Sequence, residues 1–255
     1  MTSKGAAAIA AMEFTTGRVA AELLKQTRLT SQDHLPPKVR LLDVASGGAV
    51  VTSKFVTLNG DGLRHCDWTA KCLDFDDKMT ETALAKQELQ VANVDIRKGD
   101  IQTLPYADGE FTHALWNFGP QTIKGDSAKA LAEIHRSLAP GGTLAFSVWI
   151  RPGWQADIES IKPDFDKPPP LRTWTDPFEI QTKLEKAGFR FERIAPFEFE
   201  TDEKDAEQYL ENLFFLLPMS TEFKQEYSDH VKEVVSREGR WRLTWKASII
   251  VAVKE

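Results

Sequence analysis

Residues 40 to 49, RLLDVASGGA, run a buried-strand pattern straight into a short Gly-rich turn. Leu41, Leu42 and Val44 supply the apolar strand, and Asp43 sits near its carboxyl end. Gly47 and Gly48 let the chain turn tightly where a side chain would block a ligand. A parallel α/β sheet builds a pocket for an adenosine-containing ligand at such a junction. Turns of this kind also serve phosphates and purely structural ends, so the rest of the chain has to discriminate.

Strand-like runs recur at 40–44, 70–74, 93–97, 111–117 and 142–149, with helical material between them, which is the alternating pattern of an α/β sheet. Ala128, Leu131, Ile134 and Leu138 fall at helical spacing before a stop at Pro140 and the Gly141–Gly142 pair. Beyond Trp149 a proline-broken stretch reads as a long loop with at most a short helix. Residues 177–187 read as a helix, 189–198 as a strand, 205–237 as mostly helical and 242–253 as a last strand. The expected fold is a single Rossmann-like α/β domain over 1–255, with a seven-strand mixed sheet, a helical cover at 13–30, a donor-binding core at 38–198, a helical insertion at 205–237 and a final strand at 242–253.

A chain of 255 residues with 42% hydrophobic residues can bury one large core. Its formal charge of -6 argues against a nucleic-acid surface, which needs clustered Lys and Arg. Cys66 and Cys72 are too few for a disulfide framework and too isolated for a metal site, so no metal is expected. No apolar run is long enough to span a bilayer, and the start MTSKGAAAIAAMEF has too short an apolar stretch for a secretion signal. A cytoplasmic protein without a membrane partner is the expectation.

In KCLDFDDKMTETA, residues 71–83, an apolar strand ends in Asp74, where a carboxylate can accept from both hydroxyls of a ribose. The competing role for these acids is capping the next helix, which suits Asp76 best. Met79 is placed either against an adenine or in the core. Asp100 and Ile101 follow the third strand, where an acidic oxygen can accept from an adenine amino group and an aliphatic chain can cover the ring; a loop cap is the alternative for Asp100. Asn117, Phe118 and Gly119 end the fourth strand on the crevice side.

Taken in order, LLDVASGGA, CLDFDDKM, GDIQTLPYADGEF, LWNFG and LAEIHRSLAPGGTLAFSVW resemble the class I S-adenosylmethionine-dependent methyltransferases, in the small-molecule group of the ubiquinone and menaquinone methyltransferases. The resemblance spans about residues 38–198. It implies S-adenosylmethionine as cofactor, with Asp43 and the backbone from Ala45 to Gly48 serving its amino-acid part, Asp74 its ribose, Asp100 and Ile101 its adenine, and Asn117 and Phe118 the junction with the acceptor. Three positions depart from the family's habit: Ala45 and Ala49 stand where glycine is common, and Thr112 where an acid is common.

Methyl transfer from a sulfonium needs the acceptor, methyl and sulfur in line with water excluded, and needs a base only when the nucleophile starts protonated. His34, His65, His113, His135 and His230 offer no clean base, so no catalytic residue is assigned. Acceptor-binding candidates are Trp149 and Trp154 after the fifth strand, and Tyr209, Phe214, Phe215 and Met219 in an apolar helical stretch that suits a lid, a buried helix or a dimer contact. The expected activity is methylation of oxygen, nitrogen or sulfur on a small, largely apolar metabolite. Its rivals are an NAD-dependent oxidoreductase, disfavoured by the incomplete G-x-G-x-x-G pattern, and a ligand-binding protein without catalysis.

Overall fold

The computed structural model describes residues 3–30, 35–166, 168–217 and 219–255. Its sheet has seven strands: β1 (Lys38–Val44), β2 (Asp67–Asp74), β3 (Val94–Lys98), β4 (Phe111–Asn117), β5 (Leu138–Arg151), β6 (Phe189–Glu203) and β7 (Trp241–Lys254), in the order β3-β2-β1-β4-β5-β7-β6. The strands from β3 to β5 are parallel neighbours, whereas β7 pairs antiparallel with both β5 and β6. This is the seven-strand mixed α/β sheet expected from the sequence. The central strands are covered on both faces, which explains why β1 reads as a nearly continuous apolar run instead of an alternating one.

Helix α1 (Ser3–Gln26) buries Val19, Ala20, Leu23 and Leu24, a stripe at helical spacing, against Val51 and Phe55 of α2 (Val50–Asn59). It starts well before residue 13, because the alanine-rich beginning of the chain favours helix. On the other face Ala130, Leu131 and Ile134 of α5 (Ser127–Ser137) and Ile180 and Leu184 of α7 (Pro177–Lys186) pack against β4 and β5. Asp126 and Asp176 cap these two helices by accepting from the backbone N–H of Ala128 and of Phe178.

Two strands run further than expected. β5 begins at Leu138, inside the Pro-Gly segment read as a stop, because Leu138 pairs with Phe111 before the register shifts. β6 continues through the acidic run to Glu203, which pairs with Trp241; Asp202 is held by Arg240 and Arg242 at 3.2 and 3.4 Å. Local sequence cannot show this, since the ladder comes from a strand some 40 residues away. Helix α6 (Gly153–Ile161) is the short helix of the long loop. Helices α8 (Ala206–Leu216) and α9 (Thr221–Glu238) connect β6 to β7 at the carboxyl-end side of the parallel strands.

Candidate functional site

β1 leads to β2 and β3 on one side of the sheet while β4 and β5 lie on the other, so the strand order reverses between β1 and β4. Open α/β sheets bind ligands at that crevice, outside the strand carboxyl ends. A cavity of about 830 Å³ opens there. Its walls include Ala45, Gly47, Gly48, Asp74, Met79, Asp100, Ile101, Asn117 and Phe118, which the sequence pointed to, and α1 closes it with Met12, Glu13 and Thr16.

The turn after β1 repeats left-handed backbone: φ is 47° at Ala45, 54° at Gly47 and 54° at Ala49. A Cβ added to Gly47 would meet nothing within 4 Å and would project into open space. The turn is locked to β2 because Gly47 N–H donates to Asp74 Oδ2 at 2.8 Å. Asp76 N–H donates to Asp74 Oδ1 at 2.9 Å. Asp74 is 7% exposed, and with one protein donor on each oxygen it keeps lone pairs for further donors. Asp76 caps helix α3 (Asp77–Leu84), accepting from Lys78 and Met79 N–H.

Asp43 stands apart from the other assigned residues. It is fully buried beneath the turn, outside the cavity wall, where Oδ2 accepts from Thr52 N–H at 3.0 Å and Thr52 Oγ1 at 2.8 Å. Its Oδ1 has no partner, and burial pushes its carboxyl up from 3.8 to about 7. Asp100 both lines the cavity and holds its own loop, accepting from Gln102 N–H at 2.8 Å.

At the β4 end Phe118 has φ 58° and stacks on Trp149 with centroids 4.0 Å apart. Its N–H donates to Ser147 Oγ at 2.9 Å, which donates in turn to Asn117 Oδ1 at 2.7 Å. Asn117 Nδ2 donates to Thr16 O at 3.3 Å, tying the strand end to α1. Thr112 is remote from this junction; its hydroxyl accepts from Arg40 N–H and laces β4 to β1.

None of the acceptor candidates whose side chains are described lines the cavity. Tyr209, Phe214 and Met219 pack with Tyr227, Phe223, Trp241 and Trp245 in a second core formed by α6, α8, α9 and β7. Trp154 faces Phe165 in the same cluster, and Trp149 stacks on Phe118 of the cavity wall. The side chain of Phe215, like all of His34, lies outside the described residues. An apolar run that is too rich for one stripe is accounted for here by burial on several sides. Sequence reading passed over Phe75, 51% exposed on the cavity wall with Lys124 over its ring at 5.1 Å, although a bare aromatic between two acids was a usable signal. It also passed over Glu13 and Thr16, which reach the site only through the packing of α1.

No histidine, cysteine or tyrosine is among the described residues of the wall. His113 is half-buried in β4 beside Thr112 Oγ1, and desolvation there pushes it down to about 4.

Residues 42–146 match the family model described as a methyltransferase domain. The matched stretch resembles the class I S-adenosylmethionine-dependent methyltransferases. A ubiquinone/menaquinone biosynthesis C-methyltransferase, UbiE, of Teredinibacter turnerae is 31% identical over 118 residues, covering 46% of this chain and 45% of that protein. A demethylmenaquinone methyltransferase of Parafrankia sp. is 31% identical over 140 residues, covering 48% and 50%. The chain thus spans about half the length of the curated relatives it matches. Among solved structures, the YcgJ protein of Bacillus subtilis superposes with TM-score 0.61 at 17% identity over 93% of this chain and 99% of that one. The [4+2]-cyclase SpnF superposes with TM-score 0.57 at 19% identity, over 93% and 80%. At those identities the methyltransferase domain shares their fold.

The residues present fit the donor that this family uses. About 830 Å³ lies within the range of cofactor pockets, and Asp74 and Asp100 offer acceptors beside an aliphatic Ile101 and an exposed Phe75. Among the described lining residues are four carboxylates and two lysines, a balance suited to a ligand of net positive charge such as a sulfonium.

Proposed function

We propose that the protein transfers a methyl group from S-adenosylmethionine to a small acceptor. The observation that carries this reading is the single cavity wall joining Asp74, Asp100 and Ile101 on one side of the Gly47–Gly48 turn to Asn117 and Phe118 on the other. Asp74 would hold the ribose, Asp100 and Ile101 the adenine, and the backbone from Ala45 to Gly48 the amino-acid end. The bound donor supplies an electrophilic methyl on a positively charged sulfur.

What the chain contributes is orientation and exclusion of water. The Asn117–Ser147–Phe118 hydrogen-bond chain fixes the end of β4, the stack on Trp149 keeps the Phe118 ring in place, and α1 covers the opening. With no histidine, cysteine or tyrosine among the described wall residues, the acceptor is one whose nucleophilic atom is reactive once desolvated. Oxygen, nitrogen and sulfur satisfy this, and so does an electron-rich carbon; the name of the Teredinibacter relative, a C-methyltransferase, supports including carbon. The apolar walls at Met12, Phe118 and Ile123 support an acceptor that is largely apolar. A cytoplasmic site of action belongs to the same proposal, supported by the free thiols of Cys66 and Cys72.

Calorimetry with S-adenosylmethionine, S-adenosylhomocysteine and NAD tests the donor. The first two are expected to bind and NAD is not; the reverse would restore the oxidoreductase reading. Asp74→Ala should weaken both adenosyl ligands by about 1–3 kcal/mol, the scale of a lost charged hydrogen-bonding partner. Mass detection of methylated product across a panel of acceptors tests transfer itself. Donor binding with no product from any acceptor would favour a non-transferring protein, a reading kept in view by a cyclase on the same fold.

A further inference from the structure

Resting on the donor reading above, we infer that Glu13 of α1 is the carboxylate that receives the α-ammonium of the donor's amino-acid end. Glu13 lines the cavity and sits directly on the Gly-rich turn, so closely that a Cβ on Gly48 would collide with its carboxylate. Glycine at position 48 therefore makes room for a side chain from another element as well as for a ligand.

The other wall carboxylates have different work. Asp74 is engaged by Gly47 and Asp76 N–H at the end of β2, Asp76 caps α3, and Asp100 holds the loop after β3. These lie on the β2 and β3 side, where the ribose and adenine are placed. Glu13 is the wall carboxylate on the β1 turn, where the amino-acid end is placed.

Its charge is held but not used up. Lys86 Nζ pairs with Glu13 Oε1 at 2.9 Å from outside the cavity wall, with the lysine 17% and the glutamate 24% exposed. A carboxylate offers about four acceptor positions, so one lysine contact leaves it able to accept from an ammonium. Lys86 is a positioning residue in this scheme: it fixes the carboxylate over the turn and joins α1 to the segment after α3.

The test uses the full chain and two ligands that differ only at the amino-acid end. S-adenosylhomocysteine carries the ammonium, and 5′-methylthioadenosine lacks the whole amino-acid part. Glu13→Gln should weaken S-adenosylhomocysteine by about tenfold or more, as expected for a lost charge-assisted hydrogen bond, and change methylthioadenosine by less than about twofold. Retained methylthioadenosine binding also shows that the variant has folded with its pocket intact. Lys86→Met should give a smaller loss confined to S-adenosylhomocysteine.

Equal weakening of both ligands by Glu13→Gln would overturn the inference by making Glu13 a structural prop of the pocket. Unchanged S-adenosylhomocysteine affinity would overturn it too. Tighter binding would mean that Glu13 occupies the place of the ligand's own carboxylate, the opposite role. If the unaltered protein bound neither ligand, the donor reading would fail and this assignment with it, whereas a selective failure at Glu13 leaves that reading standing.

Discussion

Ala45 shows how a single side chain can carry a cost that its contacts do not reveal. Its φ of 47° is left-handed, a region that costs an L-residue roughly 1–2 kcal/mol and glycine almost nothing. Ala45→Gly should therefore raise the unfolding free energy by about 1 kcal/mol in urea titration, because the side chain is only partly buried. Ala49 shares the backbone but is fully buried with Cys72, Ala83 and Leu89, so there the lost methyl offsets the relief. Asp43 makes a second residue-level prediction. Its folded pKa of about 7 lies above the ordinary 3.8, so the folded state holds its proton to higher pH than the unfolded state does. Stability from this group is present below about pH 4 and is lost as pH rises toward 7. Relative to Asp43→Asn, which cannot ionise, the unaltered protein should lose unfolding free energy between pH 4 and 8. Parallel curves would remove the buried, proton-linked carboxyl from the account.

The start of helix α4 (Gly119–Thr122) is built on a close approach: a Cβ on Gly119 would fall inside the indole of Trp116, itself fully buried against Phe146 and Trp174. Gly119→Ala should destabilise by about 1–3 kcal/mol and weaken the adenosyl ligand as well, since Trp116, Phe118 and Gly119 all line the cavity. A neutral result in thermal unfolding would show that the indole can move aside. Elements of this kind mark the limit of what the sequence discloses. The Gly-rich turn, Asp74 and the cap at Asp76 were legible because each is a short-range pattern: an apolar strand, a turn and an acid in fixed order. Glu13 was not, because its place on the cavity depends on which face α1 lays on α2. Tyr209 and Phe214 were legible as an apolar excess, but whether that excess covers a ligand or fills a core is decided by β7, whose Trp241, Leu243 and Trp245 alternate onto the same face. For Asp43 the resemblance implied a ligand contact, and only its depth beneath the turn separates it from the wall.

At the scale of the molecule, α8 and α9 build a hydrophobic core of their own at the β6–β7 end, while the donor cavity sits over the core shared by α1, α2 and the central strands. Trp149 belongs to both: it stacks on Phe118 at the cavity and approaches Trp245 at 5.4 Å in the second core. Packing cores this dense transmit changes through such shared side chains, and Phe199, stacked on Trp245, is another that packs against both. Leu213→Ala removes a residue 3% exposed in the second core and should cost about 2–5 kcal/mol in unfolding free energy, with S-adenosylhomocysteine affinity unchanged at temperatures where the variant is folded. Trp149→Leu should lower stability and also weaken that ligand, because the Phe118 ring loses the surface that holds it. Calorimetry and urea titration on the two variants separate the terms. Loss of ligand affinity in folded Leu213→Ala would mean that α8 acts on the cavity, itself or through α1, which packs against it, whereas an unaffected Trp149→Leu would remove Trp149 as the link between the two cores.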